Sequence, residues 1–323
     1  LKNDRDTGSG RFSATHRDLG RTRRIPRSYV NGSDEMKRSF GSGGRDLAHI
    51  HLSWAEWIYW GVAATMVIGF HITILLYVFD PRTIDGHVSV WVKPLKFEAS
   101  LAIHAMTLAL AVGLLGPYWR YGPVMLIMAL AFLVACVVEM GWILLQGARA
   151  QHSHFNLSTP FNSFMYSVMA FMAVVIVGAA GAIGLAFLAD SSANASPALR
   201  TAIAFGLIGG TALTLVTAFT IGGRLSPYVG SIPGPDARMM LTGWSLTGGD
   251  LRVSHFLATH MIQAVPLFAL AIDRLAQGRS ALLLILAFGA AWTMATLLEY
   301  GVALQGDRAL IARASELIPR MRF

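Results

Sequence analysis

The chain of 323 residues is 54% hydrophobic and only 14% charged, and its mean hydropathy is +0.53. Soluble domains carry about 25% charged residues, so an ordinary soluble enzyme is excluded. A single cysteine, Cys136, excludes a disulfide-stapled scaffold, a zinc finger and an iron–sulfur protein. The net charge of +8 sits mostly in the amino-terminal stretch and the loops, which points to anionic lipid head groups and not to nucleic acid.

Residues 1–52 are rich in Arg, Ser and Gly and show no sustained apolar period, so they read as a basic, mostly disordered tail. The pair Arg23-Arg24 lacks the apolar run that a twin-arginine signal needs. Seven apolar spans follow, over 54–79, 95–115, 123–145, 161–189, 201–222, 255–272 and 281–305. At 1.5 Å per residue each is long enough to cross about 30 Å of hydrocarbon, the sixth only marginally. Helices are the natural spanning form, because every backbone polar group must be satisfied within the segment. The expected architecture is therefore all-α, a polytopic bundle over 53–305. Over 306–323, Leu310, Ala314, Leu317 and Ile318 share one face, which predicts a short amphipathic helix on the membrane surface. A bacterial inner membrane, with the tail on the cytoplasmic side, is the expected location.

With seven spans, the loops 80–94, 146–160 and 223–254 lie on one side of the membrane, and they hold nearly all the unusual sequence. Helical phase gathers polar residues below them. Lys93, Lys96, Ser100, His104 and Thr107 form a stripe on the second span, and Glu139, Trp142, Gln146 and Arg149 form one on the third. The sixth span offers His255, Thr259, His260 and Gln263, and the seventh Trp292, Thr296 and Glu299. Counted from the polar-loop side, His71, His104, His260, Glu139 and Glu299 fall at similar depth, roughly 8 to 14 Å below the boundary.

Three imidazoles and two carboxylates in one layer suit a metal ion or haem, with His71, His104 and His260 as ligands and Glu139 and Glu299 as catalytic groups. The same layer suits a proton relay, and a lone intramembrane histidine also serves as a hydrogen-bond donor between helices. Above it, Lys93, Lys96, Gln146, Arg149, His154, Asn156, Arg252 and His255 read as a receiver for an amphipathic or anionic small molecule, or as snorkelling interfacial side chains.

The strings Lys93-Pro-Leu-Lys-Phe97, Ser153-His-Phe-Asn156, and Gly243-Trp-Ser245 through Gly248-Gly-Asp-Leu-Arg252 to His255-Phe256 resemble a family of uncharacterised bacterial multi-span membrane proteins. The likeness extends to the stretch from His260 to Pro266 and covers roughly residues 80–270. It implies the bundle and the polar-loop cluster, and no catalytic role. The helix carrying two histidines four apart that marks seven-span zinc hydrolases is absent, and no lysine lies within the seventh span, as a retinal protein would require.

Three functions fit the sequence. One is a membrane redox protein, an oxidoreductase holding a metal or haem. Another is an accessory subunit that docks on a larger membrane complex through its basic tail and carboxy-terminal helix, and the third is a proton-coupled transporter.

Overall fold

The computed structural model describes residues 51–240, 242–272, 275–276 and 278–310. Almost all of the expected tail over 1–52, and the expected surface helix beyond Leu310, lie outside the described residues. In chain order the elements are α1 (Trp54–Phe79), β1 (Thr83–Ile84), β2 (Val88–Ser89), α2 (Val92–Leu114), the short α3 (Pro117–Arg120), α4 (Pro123–Ala148) and α5 (Pro160–Ala189). They continue with α6 (Pro197–Arg224), β3 (Tyr228–Val229), a 3-10 turn at Pro235–Ala237, β4 (Gly249–Asp250), α7 (Leu251–Ile272) and α8 (Gly278–Leu304). All the helices but α3 are long and apolar enough to cross a membrane. The protein is an all-α, multi-pass integral membrane protein, as its composition requires.

Local chemistry fixes the helix starts. Ser53 and Glu56 form a reciprocal capping box on α1, and α4, α5 and α6 each open on a proline behind Gly122, Thr159 and Ser196. Several helices therefore begin three or four residues before the apolar runs do. Lys93 lies in the first turn of α2 and Arg252 in that of α7.

One group of helices is formed by α1, α2 and α4, and a second by α6, α7 and α8, with α5 joining α4 to α6. Tyr59, Leu108, Met125, Phe132 and Ile143 fill the first core, and Met261, Val265 and Ile285 bury into the second. At the α6–α7 crossing the backbones approach closely. A Cβ on Gly210 would stand 2.6 Å from Ile262 Cγ1 and 3.0 Å from its amide nitrogen. By contrast α2 meets α5 and α7 at only a few points, leaving a lightly packed seam between the groups. Ile68, Ile72 and Leu75 on α1 and Leu283, Leu297 and Leu298 on α8 are exposed, and these faces meet the bilayer.

The loops on the polar side carry two small antiparallel ladders. Thr83 pairs with Ser89 and Ile84 with Val88, while Tyr228 pairs with Asp250 and Val229 with Gly249. The second ladder ties the end of α6 to the start of α7.

Candidate functional site

Glu139, Trp142 and Gln146 follow one another on a single face of α4, and all three are buried. The loop after α4 folds back over this face. Trp142 Nε1–H donates to the Ser153 carbonyl at 3.0 Å, and Gln146 Nε2 donates to the His152 carbonyl at 3.4 Å. The loop accepts left-handed backbone at two non-glycine positions, Ala150 (φ 52°) and Phe155 (φ 59°), to make this return. It delivers His154 among Phe97, Phe155 and Tyr166, at ring separations of 5.8, 6.4 and 6.5 Å. Burial, reinforced by the Lys93 ammonium, holds the His154 imidazole well below its ordinary value of 6.5, so the ring is neutral at pH 7.

Lys93 reaches over the Phe97 ring, its Nζ 5.7 Å from the centroid. It lies within electrostatic reach of both Glu139 and His154. Among the described residues the ammonium makes no hydrogen bond and no ion pair. Both carboxylate oxygens of Glu139 are buried without a hydrogen-bond partner, and so is Gln146 Oε1. One helix face thus presents three orphaned acceptors near an unbonded cation. Buried acceptors are costly to leave bare, and an ionised carboxylate more so, which marks the place for a proton, water or a ligand.

A second polar line crosses the seam below. His104 is buried, and its Nε2 donates to the Ile176 carbonyl at 3.3 Å, which fixes the tautomer. The ring stacks on Phe132 at 5.8 Å and lies within electrostatic reach of His260, which in turn reaches His255. His255 Nδ1 pairs with the Thr217 hydroxyl at 2.9 Å. At the membrane surface Lys96 Nζ donates to the Thr242 carbonyl at 2.8 Å. Arg252 is clamped by the fully buried Asp250 at 2.6 Å, by the Gly243 carbonyl and by the Tyr228 hydroxyl.

The layer expected from depth alone does not assemble. His71 is exposed on α1 and donates through Nδ1 to the Val67 carbonyl one turn back, away from His104 and His260. Glu299 accepts from the Leu310 amide at 3.2 Å, turned toward the chain that follows α8. No group of three or more His, Cys, Asp or Glu side chains placed to hold a metal ion is present among the described residues. In the outer receiver, Arg149 is exposed and Asn156 is spent on its own loop, donating to the His152 carbonyl and accepting from Ser158.

One buried carboxylate escaped the polar stripes. Glu98 on α2 accepts from the Thr73 hydroxyl at 3.0 Å, faces Gly69 of α1, and leaves Oε2 without a partner. Its charge inside an apolar span was the available signal. Asp250, the anchor of Arg252, was hidden in a loop whose burial the sequence does not express.

Comparison with protein-family models, with curated proteins and with solved structures finds no match.

Proposed function

We propose that the protein is a proton-coupled carrier of the bilayer, with Glu139 as the group that takes up and releases the proton. The observation that carries this reading is the Glu139 carboxylate, buried within a membrane span with neither oxygen hydrogen-bonded. An intramembrane carboxylate of this kind is expensive unless a proton or counter-ion accompanies it. Lys93 supplies a cation within reach but unbonded, so the proton and the ammonium are alternative companions for the same charge. The lightly packed seam beside α2 supplies a place where the two helix groups can part. A redox centre has less support, because His71 faces outward and no group of three or more His, Cys, Asp or Glu side chains placed to hold a metal is present among the described residues. Docking as an accessory subunit rests on the tail and the carboxy-terminal helix, almost all of which lie outside the described residues.

Dicyclohexylcarbodiimide, which enters the bilayer and modifies only protonated carboxyls, tests the reading on the purified full chain. Peptide mass spectrometry is expected to find the adduct on Glu139, increasing as pH falls, and to lose it in Glu139→Gln. Modification of Glu98 with none on Glu139 at any pH would overturn the assignment.

A further inference from the structure

We infer that the cargo is an organic monoanion, a carboxylate on an apolar or aromatic body, seated on the Lys93 ammonium. This deepens the carrier reading and rests on it. The charge count comes first. Lys96 is turned to the Thr242 carbonyl, Arg252 is paired with Asp250, Arg82 with Asp80 and Arg120 with Glu56. Arg149 is exposed at the far end of the α4 stripe. Of these side chains Lys93 is the one that faces the interior with no hydrogen bond or ion pair among the described residues, so it is the charge the site offers first. A doubly charged phosphate or sulfate would want a second cation or a fork of donors beside it.

The surroundings then set the body of the ligand. Phe97 lies beneath the ammonium, and the neutral His154 ring packs on Phe97 and in turn on Phe155 and Tyr166. Such aromatic surroundings reward an apolar or aromatic group and offer little to a small hydrated ion.

Coupling follows from competition for one ammonium. The titratable groups facing this point are Glu139 and Cys136 from α4, with Tyr59 of α1 beyond Cys136. The others are Lys93 from α2, His154 from the loop and Tyr166 from α5. While Glu139 is ionised it competes with the cargo carboxylate for Lys93. When Glu139 takes a proton, the field of Lys93 is released to the cargo. Proton and anion therefore bind together, and each strengthens the other by the same factor.

Binding of benzoate and, separately, of inorganic phosphate to the purified full chain by titration calorimetry tests this. Benzoate is expected to bind about tenfold more tightly at pH 6 than at pH 8, the size of a modest coupling. In a Lys93→Arg background, where the guanidinium stays charged at both pH values, that pH dependence is expected to persist and to be lost when Glu139→Gln is added. Lys93→Gln is expected to lose binding at least tenfold, and Lys93→Arg to keep most of it, which separates loss of charge from loss of fold. Preference for phosphate, or wild-type benzoate affinity in Lys93→Gln, would overturn the inference. Failure to bind benzoate while carbodiimide still modifies Glu139 would overturn the cargo assignment and leave the carrier reading. Failure of both would overturn the two together.

Discussion

The indole N–H of Trp142 and the carbonyl of Ser153 lie 3.0 Å apart, and this bond pins the loop that sets His154 beside Lys93. A side chain one turn above the candidate coupling carboxylate thereby also builds the wall of the candidate cargo site.

Trp142→Phe keeps a ring against Phe161, 5.8 Å away in the wild type, and removes the donor. Leaving the buried carbonyl unpaired is expected to cost about 1 kcal/mol. Hydrogen exchange should rise at residues 152–156 and stay unchanged in α4; unchanged exchange in the loop would show that it is held by other contacts.

Acid should loosen the same loop. Because the folded state holds His154 below its ordinary 6.5, the unfolded chain binds the extra proton first. This contribution to stability is fully present above about pH 6.5 and is lost as pH falls toward the depressed folded value. The unfolding temperature in detergent should therefore drop between pH 7.5 and pH 5, and His154→Gln should flatten that part of the profile. An identical pH profile in the variant would remove His154 as the cause.

At the opposite membrane face, Glu56 caps α1 through Ser53 and receives Arg120 at 2.7 Å. Glu56→Ala removes the reciprocal half of the capping box and takes the carboxylate from the part-buried Arg120, which keeps the His51 carbonyl, at an expected cost of about 1 kcal/mol. Glu56→Gln, which can still accept at the cap, should recover part of it in thermal unfolding.

Gly210→Ala tests the α6–α7 crossing. Its Cβ would press on the Ile262 amide nitrogen as well as its side chain, so the helices must separate. A loss of about 1–3 kcal/mol is expected, typical of forcing a methyl group into a packed core. Wild-type stability in this variant would show that the helices slide freely past each other.

The seven spans were legible because length and apolarity alone decide whether a segment crosses a bilayer. Their starts were not, since capping residues such as Ser196 and first-turn charges such as Lys93 and Arg252 look like loop in a hydropathy reading. Depth could be counted, and azimuth is where the reading failed. Beyond the first turn of α1 the buried residues are Tyr59, Val62, Ala63, Met66 and Thr73, and His71 sits roughly 140° around the helix from Met66 at 100° per residue. An almost uniformly apolar helix does not announce its interior face. On α4 the glutamate, tryptophan and glutamine marked that face, and Glu139 was found from sequence for that reason. The return of the loop onto Trp142 depends on left-handed turns at Ala150 and Phe155, which residue type does not foretell.

The thin packing of α2 against α5 and α7 has a mechanical consequence. On the polar side bonds run both within and between the helix groups. Arg82 Nη1 donates to the Ala148 carbonyl at 2.7 Å, tying the α1–α2 hairpin to α4, and the Gly249 amide donates to the Gly306 carbonyl at 3.0 Å, tying α7 to the end of α8. At the opposite face the groups are fastened together, where the Gly116 amide donates to Asp190 at 2.6 Å and the Asn194 amide to the Leu114 carbonyl at 2.7 Å. The seam is thus fastened at both edges, and on the polar side the fastening is left to side chains, Lys96 on the Thr242 carbonyl and Arg238 on His87 at 3.2 Å. Loss of those two contacts would free the ammonium of Lys96, one turn along α2 from Lys93.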